Sequence, residues 1–124
     1  NGIVDAVRQL IAREEGNVPI QLTVQEGFSV QNREKAFQLY RIIQESLNNA
    51  VRHSKARAIH VGMFLDHGMV TVEVSDNGSG FDAERSRGRG MGLRILSYRA
   101  NLIEGKLGIR SSPAGTTVTC RVAQ

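Results

Sequence analysis

The sequence predicts a two-layer α/β sandwich: one five-stranded sheet with three helices packed on one face and water on the other. Two observations carry this expectation. Five short segments alternate apolar and polar residues with period two, so each has one face to bury and one to wet. Three longer segments repeat apolar residues at helical spacing and interleave with the strands. One-sided strands and one-sided helices bury their apolar faces most simply against each other.

The first helix is read from Ile3, Val7, Leu10 and Ile11, and Gly16-Asn17 ends it. Pro19 follows, then Ile20, Leu22 and Val24 alternate with Gln21, Thr23 and Gln25 as a half-buried strand, broken by Glu26-Gly27. Asn32 is a plausible cap for a long amphipathic helix running from about Arg33 to His53. Ile59, Val61, Met63 and Leu65 alternate with His60, Gly62 and Phe64. After Asp66-His67-Gly68, Val70, Val72 and Val74 alternate with Met69, Thr71 and Glu73, which predicts a hairpin. The polar, Gly-rich stretch from Phe81 to Gly90 reads as a loop. A helix follows from about Met91 to Ile103, stopped by Gly105. Leu107 and Ile109 mark a short strand, Ser112-Pro113-Ala114-Gly115 a turn, and Val118, Cys120 and Val122 the last strand.

The chain has 124 residues, enough for one domain with a real core. A hydrophobic share of 40% with 23% charged residues fits an ordinary globule. No apolar run approaches the ~20 residues that span a bilayer, and nothing resembles a signal peptide. Cys120 is the only cysteine, which excludes an internal disulfide and a cysteine zinc cluster and suits a reducing cytoplasm. The start at Asn1-Gly2, without Met, points to a piece of a longer protein. The net charge of +4 raises nucleic-acid or lipid binding as a possibility, but there is no basic helix and no aromatic stacking platform. The Arg85-Ser86-Arg87-Gly88-Arg89 cluster is equally explained by a neighbouring triphosphate.

Four motifs together describe a pocket for a nucleoside triphosphate: Glu45 to His53, Asp76 to Phe81, Gly88 to Leu93, and Gly115-Thr116-Thr117. Asp76 shares the parity of Val70, Val72 and Val74, and Thr116 that of Val118, Cys120 and Val122, so both should face inward. A partly buried carboxylate needs a donor, and the amino group of adenine is one. Gly78 and Gly80 give the backbone freedom for a flat base to approach. Read alone, Asp76-Asn77-Gly78 is also common turn chemistry. On the long helix, Glu45, Asn49 and Arg52 lie at i, i+4 and i+7, led by Gln38 and Arg41. Ala36, Leu39, Tyr40, Ile43, Leu47, Ala50 and Val51 lie largely opposite. A base, a neutral oxygen ligand and a cation suit phosphates with a hydrated Mg²⁺, and a solvated polar ladder would look the same. His53 could equally cap the helix end. The glycines at 88, 90 and 92 open a helix whose free N–H groups can meet an anion, though a flexible loop would also use them. His60 falls on the water face and His67 in a turn, and Ser46 has no His/Asp arrangement of a catalytic triad.

These motifs resemble the GHKL ATPase superfamily, which includes gyrase, Hsp90, MutL and the sensor histidine kinases. The chain is most similar to the ATP-binding catalytic domain of bacterial sensor histidine kinases that signal to NarL-type response regulators. Tyr40-Arg41-Ile42-Ile43-Gln44-Glu45, Asn49-Ala50 and Arg52-His53-Ser54 carry the resemblance most specifically. It implies the Bergerat ATP-binding fold, with a mixed sheet. It implies that Glu45 is the general base toward an acceptor histidine, that Asn49 is the Mg²⁺ ligand, and that Arg52 and His53 lie near phosphates or ribose. Asp76 would bond the adenine amino group beside Thr116, Gly78 and Gly80 would frame the base, and the Gly88, Gly90, Gly92 and Leu93 segment would meet the phosphates. ATP and Mg²⁺ are the implied ligands.

The segment from Phe81 to Gly88 is short and lacks the phenylalanine-bearing lid of many histidine kinases. No phosphoacceptor helix is present, since none of His53, His60 and His67 sits in such a context. The implied partners are therefore a separate dimerisation and phosphoacceptor domain of a homodimeric parent, and a NarL-type response regulator, with no nucleic acid. The expected location is the cytoplasm, with a membrane anchor allowed elsewhere in the parent. Two other readings fit the sequence: an anti-sigma-factor-type serine kinase of the same superfamily, and a nonenzymatic basic interaction module.

Overall fold

Ile3, Val4, Val7, Leu10 and Ile11 make one buried stripe on α1 (Gly2–Glu14), the first of three helices laid against a sheet. The computed structural model describes residues 2–14, 18–53, 55–78 and 90–124. The remaining elements are β1 (Ile20–Val24), α2 (Arg33–His53), β2 (Ile59–Asp66), β3 (Met69–Asp76), α3 (Gly90–Leu102), β4 (Lys106–Ser112) and β5 (Gly115–Ala123). The sheet has the order β1-β2-β3-β5-β4, with β1 and β2 parallel and all other pairs antiparallel. This is the expected mixed five-stranded sheet. The parallel pair exists because α2 crosses back over the sheet between β1 and β2.

One parity of each central strand fills the core. Ile59, Val61 and Met63, then Val70, Val72 and Val74, then Val118, Cys120 and Val122 are buried, while the alternate residues other than Gly62 reach solvent. Leu39, Ile42, Ile43, Leu47 and Ala50 of α2 and Leu96, Ala100 and Ile103 from α3 and its end cover them. Each Val, Leu, Ile or Met among these contributes about 1.5–3 kcal/mol of burial. Gly62 is buried on the outer face because the Phe64 ring lies over it, with a Cβ there falling 2.5 Å from the ring. Among the described residues, no helix is long and apolar enough to cross a membrane.

The Asn32 cap and the turn at His67-Gly68 act as expected, while the Gly16-Asn17 stop lies outside the described residues. Asn32 Oδ1 accepts the Lys35 N–H at 2.9 Å and caps α2. His67 and Gly68 both take positive φ (51° and 76°), the backbone of a type I′ turn, and join β2 to β3. At the end of α3, Glu104 rather than Gly105 takes the left-handed conformation (φ 55°). The Gly105 and Glu104 N–H groups close onto the carbonyls of Ala100 and Asn101, a Schellman motif. Gly105 is required for a different reason: a Cβ there would stand 3.0 Å from Cys120 Sγ. Burial pushes the Cys120 thiol from 9.0 up to about 11, so it stays neutral and inert within the core.

Gly115 makes the closest approach of the strand glycines. Its φ is +144°, and a Cβ added there would collide with the carbonyl oxygen of Asp76. Gly115→Ala is expected to destabilise the fold by about 2–4 kcal/mol, through strain and overpacking together. A denaturation midpoint equal to that of the parent chain would contradict this close approach.

Candidate functional site

The β3–β5 register sets Asp76 opposite Thr116, one step beyond the buried pair Val74 and Val118. Asp76 is half-buried at the end of β3, and Thr116 is buried at the start of β5. One carboxylate oxygen, Oδ1, accepts the Gly78 N–H at 2.8 Å. Thr116 Oγ1 lies 3.0 Å from Ser111 Oγ on β4. Asn77 Oδ1 accepts the N–H groups of Arg57 (2.8 Å) and Ala58 (2.9 Å), which clamps the exit of β3 to the chain entering β2. The inward face of the sheet opens toward this end. Val70 and Val72 are 0% and 1% exposed, whereas Val118 and Thr116 reach 8% each.

The C-terminal half of α2 lies over the same end. The start of α2 is tied to the far end of β5: Lys35 Nζ donates to Ala123 O at 2.7 Å, and the Gln31 N–H to Gln124 Oε1 at 3.0 Å. From that anchor α2 advances ~1.5 Å per residue, so Asn49 is ~21 Å along it. Going back along β5 at ~3.3 Å per residue, Thr116 is ~23 Å from Ala123. Helix and strand therefore bring Asn49 and Thr116 to one end of the sandwich.

α3 completes the arrangement by running antiparallel to α2. At one end Arg99 Nη1 donates to Gln38 Oε1 at 3.0 Å, and Gln38 Nε2 donates to Glu34 Oε1 at 3.1 Å. At the other end Gly92 faces Glu45 and Asn49, and a Cβ on it would stand 3.4 Å from Glu45 Oε1 and 3.5 Å from Asn49 Nδ2. Gly90 opens the helix, so the N–H groups of its first turn, which lack intrahelical partners, lie beside the Glu45–Asn49 pair. Leu93 is half-buried against the core and fixes this turn. A first helical turn with positive N–H ends beside a carboxamide suits a polyphosphate.

Glu45, Asn49 and Gly92 are thus brought together, and Asp76, Gly78 and Thr116 form a second group at the open end of the sheet. Arg52 is exposed on the last turn of α2, and His53 is its last residue. Gly80, Gly88 and the arginine cluster from Arg85 to Arg89 lie outside the described residues. Gln38, read as the start of the polar stripe, is instead 5% exposed and links α2 to α3, because α3 covers that edge of the helix. Glu45 also lines a recess between α1 and α2 with Leu10, Arg13, Gln44 and Asn48. Sequence reasoning missed the Asn77 clamp, the Thr116–Ser111 pair and the burial of Ser46 (4% exposed). The last had a signal: Ser46 lies four residues from both Ile42 and Ala50 on the apolar side of α2.

As for a metal, no group of three or more His, Cys, Asp or Glu residues forms a metal cluster among the described residues. A metal here would take the Asn49 carboxamide oxygen as protein ligand and fill its shell with phosphate oxygens and water. That donor set fits Mg²⁺, which keeps several waters.

Residues 34–124 match the family described as Histidine kinase-, DNA gyrase B-, and HSP90-like ATPase. The chain belongs to that family. It is accordingly an ATP-binding domain. Among curated proteins it is similar to the sensor histidine kinase ComP of Bacillus subtilis, 32% identical over 115 residues, which is 90% of this chain and 15% of ComP. It is also similar to the oxygen sensor histidine kinase NreB of Staphylococcus carnosus, 32% identical over 125 residues, 98% of this chain and 36% of NreB. The chain thus spans well under half the length of these relatives. Its fold matches the histidine kinase domain of the Erythrobacter litoralis EL346 blue-light activated kinase. The TM-score is 0.82 at 18% identity, covering 98% of this chain and 60% of that one.

Proposed function

We propose that this chain is the single ATP-binding catalytic domain of a longer two-component sensor histidine kinase. It holds Mg-ATP so that the γ-phosphoryl is presented to a histidine on a separate helical dimerisation domain. The observation that carries the reading is the Glu45–Asn49 pair set against the first turn of α3, at the end of the sandwich where Asp76 and Thr116 pair.

In this reading Asp76 receives the adenine amino group, with Gly78 and Thr116 shaping the base pocket. The first turn of α3, from Gly90 to Leu93, receives the phosphates, and Gly80, Gly88, Arg52 and His53 serve the same ligand. Asn49 holds the metal, and Mg²⁺ when bound supplies charge neutralisation on the phosphate oxygens. The acceptor imidazole nitrogen attacks the γ-phosphorus, the bond to the β,γ-bridging oxygen breaks, and ADP leaves. The proton from the imidazole goes to the Glu45 carboxylate. Catalysis is positioning and electrostatics rather than covalent participation by this domain. The parent acts as a homodimer in the cytoplasm, its product histidine feeding a NarL-type response regulator, and nucleic acid is not a partner.

Mixing the chain with Mg-ATP and the parent's helical domain is expected to yield an acid-labile, alkali-stable phosphohistidine. ATP at a hundredfold excess over Kd should also stabilise the chain by about 2.7 kcal/mol. A chain whose unfolding midpoint ignores ATP, yet whose DNA binding falls steeply with salt, would refute the reading in favour of a basic interaction module.

A further inference from the structure

Among the described residues, one buried polar side-chain atom has no hydrogen-bond partner: the hydroxyl of Ser46. The residue is 4% exposed. A buried hydroxyl left unpaired costs about 1–3 kcal/mol, so a fold keeps one only where something compensates.

Its position indicates what that is. Ser46 follows Glu45 and lies three residues before Asn49, within the catalytic turn of α2 but rotated toward the buried side that carries Ile42 and Ala50. From the Lys35–Ala123 contact, Ser46 is eleven residues along α2, ~17 Å. The matching distance back along β5 is about five residues, which reaches Val118, partnered with Val74 and one step short of the Asp76–Thr116 pair. This is where the inward face of the sheet begins to open, as the 8% exposure of Val118 shows. The polar groups already there have other duties. Asp76 Oδ1 accepts from Gly78, and Thr116 shares its hydroxyl with Ser111. An ionised Asp76 can accept the purine amino group but cannot donate to the ring nitrogen beside it. A hydroxyl with no other partner can do so.

We infer that the Ser46 hydroxyl is a third polar contact of the base pocket, made to the hydrogen-bonding edge of a 6-aminopurine nucleotide directly or through one water. The inference rests on the nucleotide reading above and extends it to a residue on the buried side of α2. The hydroxyl is unsatisfied in the free domain and satisfied in the complex, so its free-state cost is returned on binding.

The consequence is a pair of opposite effects. Ser46→Ala removes an unpaired group and places a better helix former in α2, so the nucleotide-free chain should unfold at the same or a higher denaturant concentration. The same variant should bind ADP about five- to tenfold more weakly by calorimetry, the size of one ordinary hydrogen bond. Ser46→Thr and Ser46→Val have nearly the same shape and separate the hydroxyl from packing. Thr should bind ADP within about threefold of the parent chain, and Val as weakly as Ala. Equal ADP affinity across all four proteins would overturn the assignment, and so would a loss shared by Thr and Val. A loss that tracks a lowered unfolding midpoint would mark Ser46 as structural and overturn it too. Failure of the parent chain itself to bind ADP would instead overturn the nucleotide reading, which the parent titration reveals before any variant is made.

Discussion

Replacing Asp76 with Asn is expected to weaken ADP and ATP binding by about a hundredfold or more while the domain stays folded. The reason lies in the use of both carboxylate oxygens. Oδ1 accepts the Gly78 N–H at 2.8 Å, which leaves the other oxygen for a ligand donor. An Asn side chain has one oxygen and one NH₂. In either orientation, one of two donors, the Gly78 N–H or the purine amino group, meets an NH₂. The variant therefore loses a charge-assisted bond and gains a donor facing a donor, together about 3 kcal/mol. That converts to roughly a hundredfold in Kd. Little of it should appear in the free protein, because Asp76 is half-buried and solvent can meet its outer atom. Calorimetry with ADP and a denaturation curve on the same samples separate the two effects. Unchanged affinity would remove Asp76 from the base pocket.

The parity of Asp76 and Thr116 was legible because the sheet buries only one face. Along β3 and β5 every inward position is apolar except the last of β3 and the first of β5, so an acid and a hydroxyl in the same phase stand out. The Glu45–Asn49 spacing was legible for a similar reason, as helical period carries direction. The pairing of Glu45 and Asn49 with Gly92 was not, since no local pattern says that α3 returns antiparallel along α2. Gln38 shows the limit of periodicity. Its polarity placed it on a wet stripe, but the Arg99 hydrogen bond buries it at a helix–helix seam, which only tertiary packing creates. The stop at Gly105 was found through a different mechanism from the one acting: the left-handed residue is Glu104, and Gly105 answers to the Cys120 sulfur. Ser46 was passed over because it lacked the partners of a nucleophile, whereas the absence of any partner is what now makes it informative.

The largest expected effect on chemistry comes from Glu45→Gln. Phosphoryl transfer to the acceptor histidine should fall about 10²- to 10³-fold, within the usual range for a lost general base. The affinity for ADP should stay within about threefold. Glu45 and Asn49 flank the first turn of α3, where the phosphates would lie, while Asp76 and Thr116 form the base pocket. Gln keeps the size and the hydrogen-bonding reach of Glu, so the seam with Gly92 should survive. It removes a negative charge near the triphosphate, which opposes binding in the parent chain, so any change in affinity should be toward tighter rather than weaker binding. What Gln cannot do is accept the proton that leaves the imidazole. Autophosphorylation of the full-length parent, measured beside an ADP titration of the same variant, gives both quantities. A parallel fall in transfer and affinity would mean that Glu45 shapes the pocket rather than takes the proton. Asn49 and the α3 turn would then hold the phosphates without a base from α2.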